Sequence, residues 1–303
     1  MRALACPASL KGVLNAGEAA TAIAAGFRRA AAEAEELPVA DGGEGTAAVL
    51  GARLIRRDRV HDAFGRPVEA PIHELADGTV VVESAQVIPI DPERLDVRSA
   101  SSRGLGELLA QVGECPRLLV CLGGTATMDA GAGLLEVLDE LPAPTTALCD
   151  VRAELADAPR LFGPQKGALA EDVAALEELF AATEHLRAYA KLAGAGAAGG
   201  LGAALASLGA QLVSGAEFVL ERLGFRERAA GADLVVTGEG RVDRTTFTGK
   251  APGEVARACG ELGVRCVLFG GRVEAGIEAE ALSGDPARAR EDLEGLGFRL
   301  GSA

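Results

Sequence analysis

Residues 234–243 read Leu-Val-Val-Thr-Gly-Glu-Gly-Arg-Val-Asp. The apolar run at the start of this stretch predicts a buried β-strand, and the glycines after it predict a loop. Ligands of α/β proteins bind at the carboxyl ends of strands. The charged side chains of Glu239, Arg241 and Asp243 are therefore candidate site residues, and the fold class that this stretch favours is α/β.

Strand and helix alternate on the carboxyl side of this stretch. Pro252–Leu262 has the pattern of a helix and Val264–Phe269 that of a buried strand. The charged tail predicts a further helix from Pro286. This order of elements is typical of an α/β domain.

The amino end of the chain has the same alternation. Arg2–Cys6 and Glu36–Val39 are predicted strands, and Asn15 followed by Glu18 predicts a capping box that starts a helix running to about Ala34. A strand–helix–strand unit of this length predicts parallel strands joined by a right-handed crossover.

The middle of the chain differs. Arg53–Val60, Pro67–Glu74 and Thr79–Glu83 alternate like strands, and Asp77-Gly78 is a hairpin signal, so antiparallel pairing is expected. Further predicted elements are strands at 117–122 and 145–149 and helices at 101–112, 129–138, 171–191 and from about 200. We therefore expect two domains: a Rossmann-like parallel-sheet domain from residues 1–52 and 228–303, and an inserted mixed α/β domain from residues 53–227.

Five glycine-rich clusters are spread along the chain, and all but the fourth include a charged residue. They are Ala40–Thr46, Gly123–Gly133, Gly163–Gly167, Gly194–Gly202 and Gly238–Asp243. Glycine is favoured where the chain adopts positive φ or lies close to a ligand. A charge inside such a turn suits a phosphate, a metal ion or a small acid. Loops of this kind converging on one cleft would suit a phosphorylated nucleotide.

The charge balance excludes several classes of partner. With 44 acidic and 30 basic residues the net charge is −14, which disfavours nucleic acid and anionic membrane surfaces. An anionic substrate must then be held by local Lys, Arg or backbone N–H groups. The absence of Trp and the single Tyr argue against aromatic-lined recognition of bases. Residues 192–216 carry no charge but consist mostly of Gly and Ala, which indicates a buried helix rather than a membrane span.

The cysteines and histidines give no metal or disulfide pattern. The six cysteines have no C-x-x-C spacing and predict reduced, buried thiols in a cytoplasmic protein, and the three histidines are scattered. There is no G-x-S-x-G and no H-E-x-x-H, which argues against nucleophilic hydrolysis and zinc chemistry. Positioning and charge neutralisation, the main needs of phosphoryl transfer, have more support.

Each loop has a functional and a structural interpretation. Gly123–Thr127 could be a phosphate cradle or a tight strand–helix turn, and Gly194–Gly202 could be a second anion cradle or a place where small residues pack closely. Asp41 and Glu44 could bind Mg²⁺ or accept a proton, or be acids at a helix start. Three lysines lie in or near these loops: Lys11, Lys166 and Lys250. Each could bind a phosphate group or could simply be solvated.

Taken in order, these motifs resemble those of the bacterial glycerate kinases, which phosphorylate D-glycerate with ATP. The matching strings are Pro7–Gly12, Ala40–Thr46, Glu83–Gln86, Ser101–Gly104, Gly123–Gly133, Cys149–Val151, Phe162–Ala168, Gly194–Gly202 and Thr237–Lys250. The resemblance covers nearly the whole chain. It implies a two-domain α/β enzyme with the active site in the interdomain cleft, where ATP with Mg²⁺ donates to a hydroxyl of D-glycerate.

The resemblance also implies roles for individual residues. As catalytic residues we expect Lys11, Asp41, Asp243 and Arg241. Lys11 and Lys250 would neutralise the phosphate, Asp41 or Asp243 would hold Mg²⁺ or take the hydroxyl proton, and Arg103 or Arg241 would clamp the carboxylate. As substrate- or nucleotide-binding residues we expect Ser9, Gly42, Gly43, Glu44, Arg103, Gly123, Gly124, Thr125, Asp129, Lys166, Gly199, Gly200, Glu239 and Lys250.

The chain departs from the family pattern at several places. Ala8 stands where the family has Asp and Met128 where it has Asn, and Arg152-Ala153-Glu154 replaces Asn-Pro-Leu. Two alternatives to a glycerate kinase therefore stay open: a kinase of the same fold for another small hydroxy acid, and a catalytically impaired member that binds without turnover. The expected partner is a small molecule, without nucleic acid or membrane, and a homodimer is a possible assembly.

Overall fold

The computed structural model describes residues 1–303, and the chain divides into two compact units. Unit 1 contains residues 1–41 and 216–303, and unit 2 contains residues 42–215. The boundaries expected from the sequence, after Ala52 and before Arg228, lie farther along the chain. The segment after residue 41 joins unit 2 because the N–H groups of Gly45 and Ala47 donate to Glu83. Ala216 belongs to unit 1 because it packs in an apolar core of that unit.

The strands and α-helices are numbered in chain order. The strands are β1 (Arg2–Ala5), β2 (Glu33–Glu36), β3 (Arg53–His61), β4 (Pro67–Glu74), β5 (Val80–Glu83), β6 (Leu118–Leu122), β7 (Thr145–Cys149), β8 (Gln211–Ser214), β9 (Leu234–Val242), β10 (Cys266–Val273) and β11 (Glu280–Ala281). The helices are α1 (Ala16–Arg29), α2 (Thr46–Val49), α3 (Arg103–Ala110), α4 (Ala132–Leu135), α5 (Ala158–Phe162), α6 (Ala170–Ala181), α7 (Ala197–Ser207), α8 (Gly215–Arg222), α9 (Phe225–Ala230), α10 (Ala251–Leu262) and α11 (Ala289–Gly301).

Unit 1 is built on a parallel sheet with the strand order β11-β10-β9-β1-β2. Successive side chains of a strand point to opposite faces, and both faces of this sheet are covered. On one face, Ile23 and Phe27 of α1 pack with Leu293 of α11. On the other, Val255 and Cys259 of α10 pack in a second apolar core. The parallel-sheet α/β architecture expected from the sequence is confirmed for this unit.

Unit 2 is built on a mixed sheet with the order β3-β4-β5-β6-β7-β8. The β3–β4 and β4–β5 pairs are antiparallel, and the pairs from β5 to β8 are parallel. Leu105 of α3 and Leu201 of α7 are fully buried in the same core as strand residues such as Val120. The mixed α/β class expected for the middle of the chain is confirmed.

Several predicted elements differ in length from the observed ones. The capping box of Asn15 and Glu18 is present, but α1 ends at Arg29 and β2 begins at Glu33, because Ala31 adopts a left-handed conformation with φ of 57° and turns the chain early. The helix predicted over 171–191 ends at Ala181. The sequence pattern also missed β8 and the helices α5, α8 and α9.

Two of the differences concern the glycine clusters. β9 continues to Val242, so Glu239 and Arg241 lie within the strand rather than in a loop after it. α4 begins only at Ala132, so Gly123 and Gly124 do not lie at a helix N-terminus. The prediction that a helix directly follows the Gly123–Thr127 turn is therefore wrong.

No helix of the structure is long and apolar enough to cross a membrane. All six cysteines are free thiols.

Candidate active site

The parallel sheet of unit 1 brings three candidate segments to one edge. β1 leads into Pro7–Gly12, β2 leads towards Asp41, and β9 carries Glu239 in its last part. The Pro7–Gly12 and β9 segments are close, because a Cβ on Gly240 would lie 3.7 Å from the backbone N of Lys11. Since the carboxyl ends of parallel strands meet at one edge, this edge is the candidate site of unit 1. Ser9 and Lys11 belong to the same segment, and Lys11 is exposed.

Glu239 and Lys250 form the centre of this edge. Lys250 Nζ lies 3.5 Å from Glu239 Oε2, and Thr246 Oγ1 donates to Glu239 Oε1 at 2.8 Å. Burial raises the pKa of the Glu239 carboxyl, an effect opposed by Lys250 and Thr246 and reinforced by the negative charge of Asp41. The sequence-predicted residues Asp41, Glu239 and Lys250 therefore act on one another electrostatically.

Asp243 lies directly after β9 and is held by its neighbours. The N–H and Oγ1 of Thr245 donate to Asp243 Oδ1 at 2.8 and 2.5 Å, and Arg241 Nε lies 3.2 Å from Oδ2. The hydrogen bond from the Thr245 hydroxyl is the main reason that the pKa of Asp243 is lowered. The side chain of Arg241 is 72% exposed, so its guanidinium is accessible to a ligand.

In unit 2, the carboxyl ends of β5, β6 and β7 form a second edge. Glu83 ends β5, Gly123 follows β6 and Asp150 follows β7. A Cβ on Gly123 would lie 2.7 Å from Asp150 Oδ2 and 3.2 Å from Gly43 Cα, so a larger residue there would require these neighbours to shift. The Gly42–Gly43–Glu44 loop therefore packs against the Gly123 loop. The sequence alone did not predict this contact.

Glu83 organises the first of these loops. It accepts N–H groups from Gly45 at 3.2 Å and from Ala47 at 2.7 Å, and Gln86 Nε2 also donates to it. Neither Glu83 nor Asp150 was among the residues predicted for the site. The signal was present in the sequence for both: each is a carboxylate at the end of a short, apolar strand.

The Asp129 carboxylate accepts hydrogen bonds from its own loop and from the residue before α3. Its Oδ2 accepts the N–H and the Oγ of Ser102, both at 2.8 Å, and the N–H of Gly133 at 3.2 Å, while Oδ1 accepts the N–H of Gly131 at 3.1 Å. Four donors thus converge on one carboxylate. Thr125, four residues earlier, has a buried hydroxyl without a hydrogen-bond partner.

Lys166 is buried in unit 2, with 4% of the residue exposed. Its Nζ donates to the carbonyl of Thr127 at 2.8 Å. Burial lowers the pKa of Lys166 to about 8, although the negative charges of Asp150 and Asp129 act in the opposite direction. The third glycine cluster is therefore joined to the second through this buried cation.

The fourth glycine cluster packs against the second. A Cβ on Gly199 would lie 1.9 Å from the Thr127 carbonyl oxygen, and one on Gly200 would lie 2.6 Å from Ala130 Cα. The N–H of Ala130 donates to the Gly199 carbonyl at 3.0 Å. These contacts favour the interpretation that the glycines of 194–202 allow close packing.

Three other positions named from the sequence have structural partners. Arg103 Nη1 lies 3.1 Å from Glu136 Oε2, and Arg103 Nε lies 3.3 Å from Glu107 Oε1. Met128 is 1% exposed and belongs to an apolar cluster. Ala8 packs against an apolar core of unit 1, and its N–H donates to the Gly238 carbonyl at 2.9 Å. Met128 therefore occupies core rather than a surface open to a ligand.

The chain is similar to known proteins along most of its length. A family model described as the glycerate kinase family matches residues 3–141 and 142–286. The glycerate kinase of Bacillus subtilis (strain 168) is 33% identical over 332 residues, covering 90% of this chain and 85% of that protein. The glycerate 2-kinase of Escherichia coli (strain K12) is 36% identical over 312 residues, covering 84% of this chain and 81% of that protein.

A solved structure has the same architecture. The crystal structure assigned to a glycerate kinase 2 of Salmonella typhimurium LT2 superimposes with a TM-score of 0.77 at 30% identity and covers 100% of this chain and 97% of that chain. Sequence identity and coverage at this level indicate common descent as well as a common fold. This chain belongs to the glycerate kinase family, whose members are transferases of the kinase class.

Proposed function

We propose that the protein is a glycerate kinase that transfers the γ-phosphoryl group of ATP to a hydroxyl of D-glycerate. The observation that carries the proposal is the group of Asp41, Glu239, Asp243 and Lys250 at the carboxyl edge of the unit 1 sheet. Family membership supports it, because the family model matches residues 3–141 and 142–286, which include all four of these residues. The name of the Escherichia coli relative favours the 2-hydroxyl as the acceptor.

Cations of unit 1 and a loop of unit 2 are each suited to bind a phosphate group. Lys250 lies at the start of α10 and Lys11 is exposed in the segment after β1, so both can face a polyanion. The net charge of −14 repels an anionic substrate, so these local cations must supply the attraction. The Thr125 hydroxyl, buried without a partner, offers a hydrogen bond to a bound group near Gly123 and Gly124.

The carboxylates suit a magnesium ion that arrives with the nucleotide. The structure contains no group of three or more His, Cys, Asp or Glu side chains arranged to hold a metal ion. Mg²⁺ in kinases uses one or two carboxylates together with substrate phosphates and water, so a full protein cage is not required. Asp243 and Asp41 would hold it, and the ion would neutralise charge on the transferring group.

The roles left open by the sequence can be narrowed. Asp243 has a lowered pKa because it accepts hydrogen bonds from Thr245, which makes it a weak proton acceptor. We therefore assign proton acceptance to Asp41 and metal binding mainly to Asp243. Arg103 is paired with two carboxylates, Glu107 and Glu136, whereas Arg241 is paired with one, Asp243, and is 72% exposed, so Arg241 is the better clamp for the glycerate carboxylate.

In this reaction the phosphoryl group passes directly to the substrate, without a covalent bond to the protein. The glycerate hydroxyl oxygen forms a bond to the γ-phosphorus while the bond from that phosphorus to the ADP oxygen breaks. The hydroxyl proton passes to Asp41, and Lys250 with Lys11 stabilises the charge on the transferring group. Positioning and neutralisation of charge account for the remaining rate enhancement.

The decisive experiment is an assay of ADP release that depends on both ATP and D-glycerate, with the product identified by NMR. Turnover to 2-phosphoglycerate is the expected result. A folded protein that turns over a different hydroxy acid from a panel would identify the alternative acceptor. Binding of nucleotide or glycerate by calorimetry without any turnover would overturn the proposal in favour of an impaired family member.

A further inference from the structure

Lys166 is a buried ammonium group that no phosphate can reach without rearrangement. It lies in a short 3-10 turn, Pro164–Lys166, and only 4% of the residue is exposed. Burying a cation is costly unless it is paired and hydrogen-bonded. The structure supplies a carbonyl acceptor and two nearby carboxylates, so this lysine has partners inside unit 2.

The partners of Lys166 lie at the two ends of one loop. Its Nζ donates to the carbonyl of Thr127 at 2.8 Å, at the far end of the segment 123–127. The negative charges that act on it are those of Asp150 and Asp129. Asp150 lies against the near end of the segment, since a Cβ on Gly123 would come within 2.7 Å of its Oδ2. One buried charge thus holds both ends of the segment.

We propose that Lys166 is a positioning residue that fixes the 123–127 loop from inside unit 2 through the Thr127 carbonyl and the Asp150 carboxylate, rather than a ligand of the substrate or nucleotide. The loop carries Gly123, Gly124 and the unpartnered hydroxyl of Thr125. The proposal rests on the proposed function in so far as this loop serves the phosphoryl transfer. Its structural part, that Lys166 holds the loop, can be tested without substrate.

The neighbours of Lys166 also determine how its effect varies with pH. The titratable groups that face it are Asp129, in the loop before α4, and Asp150, after β7. Burial lowers the pKa of Lys166 to about 8. Because the pKa is lowered only while the lysine is buried, the proton favours open states in which the lysine is solvated, so the loop should open less often above this pH.

The structural test is hydrogen–deuterium exchange of the amides in 123–130 without ligand. Lys166→Met should speed exchange there by about tenfold, because the loop loses a hydrogen bond to the Thr127 carbonyl and the attraction of a buried charge for Asp129 and Asp150. The amides of α10, in unit 1, serve as an internal reference and should not change. Lys191→Met is the matched control, since Lys191 is exposed. Unchanged protection of the loop in Lys166→Met would overturn the proposal.

The wild-type protein provides a second test that does not depend on a variant folding. Once intrinsic exchange rates are corrected for pH, protection of 123–130 should rise between about pH 7 and about pH 9, while α10 stays constant. Equal protection of the loop at both pH values would contradict a positioning role for the charge.

Kinetics then separate positioning from general stability. Lys166→Met should lower kcat about 100-fold with little change in KM, since misplacement of a catalytic loop by about 1 Å has effects of this size. Lys166→Arg should recover part of kcat and keep its pH profile flat above pH 8. If wild type has no turnover, the proposed function fails while the exchange result still decides the role of Lys166. If Lys166→Met retains wild-type kcat, the positioning role is wrong.

Discussion

Lys250 Nζ lies 3.5 Å from Glu239 Oε2, so the cation at the start of α10 and the carboxylate within β9 form one unit. The two side chains are 32% and 15% exposed, which leaves the ammonium the more accessible partner. Thr246 occupies the other oxygen of Glu239 at 2.8 Å. The Glu239 carboxylate therefore orients the Lys250 side chain but only partly neutralises the charge of its ammonium group.

The first prediction concerns this pair. Lys250→Met should lower kcat for ADP release by about 10²–10³, because a charge that stabilises the transferring phosphoryl group is removed. Glu239→Gln should lower kcat less, by about tenfold, because Lys250 keeps its charge but loses its orientation. Steady-state kinetics with circular dichroism would measure both. Retention of wild-type kcat in Lys250→Met would contradict the assigned role.

The second prediction separates the two aspartates. Asp41→Asn should lower kcat by about 10²–10⁴, the range for loss of a general base. Asp243→Asn keeps the hydrogen bonds from Thr245 but loses the charge, so it should mainly raise the Mg²⁺ concentration needed for half-maximal rate. A titration of Mg²⁺ at saturating ATP would measure this. If Asp41→Asn changes the Mg²⁺ requirement and Asp243→Asn changes only kcat, the two roles are reversed.

Local patterns in the sequence predicted several of the regular elements. The alternation in 53–60 and 67–74 and the Asp77-Gly78 turn gave the antiparallel strands β3 to β5, and the capping box at Asn15 gave the start of α1. These signals depend on neighbours in the sequence, where periodicity and turn chemistry act. The early end of α1 escaped prediction because it depends on the conformation of Ala31.

The site was predicted less completely because its contacts are distant in sequence. Whether Lys166 faces a ligand or the interior depends on Thr127 and Asp150, and no local pattern reports burial of a lysine beside glycine. The partners of Asp129 include Ser102, far away in the chain. Glycine patterns located the loops, but only packing decides which charged residue in a loop is a tether.

The third prediction concerns Asp129 as a structural tether. Asp129→Asn replaces one acceptor oxygen with an NH₂ group that would face N–H donors, and should cost about 1–3 kcal/mol of unfolding free energy. Ser102→Ala removes the hydroxyl that donates to Asp129 and accepts the buried N–H of Leu134 at 2.9 Å, and should also cost about 1–3 kcal/mol. Urea denaturation would measure both. Ser302→Ala, an exposed control, should change little, and equal losses in all three variants would argue against a specific tether.

The fourth prediction uses two glycines that differ only in their surroundings. Gly199 and Gly209 have φ of 71° and 94°, but a Cβ on Gly199 would lie 1.9 Å from the Thr127 carbonyl oxygen whereas Gly209 has nothing within 4 Å. Gly209→Ala should cost about 1–2 kcal/mol for the left-handed conformation alone. Gly199→Ala should cost at least about 2 kcal/mol more, because backbone must move. Similar losses in thermal and urea unfolding would refute the close packing of α7 on the second cluster.

The fifth prediction is a pH dependence of stability with the sign opposite to that of activity. Burial lowers the pKa of Lys166 from 10.5 to about 8, so the unfolded chain binds more protons between these values. The unfolding free energy of wild type should therefore rise with pH, relative to Lys166→Met, by about 2 kcal/mol between about pH 7.5 and about pH 10. Activity should fall over the same range, because the neutral amine no longer attracts the carboxylates of Asp129 and Asp150 that position the 123–127 loop. Urea denaturation at both pH values measures the first quantity and kcat the second, with Lys191→Met following wild type in both. If stability and activity fall together, general unfolding would explain the alkaline loss and the lysine would not act through its charge.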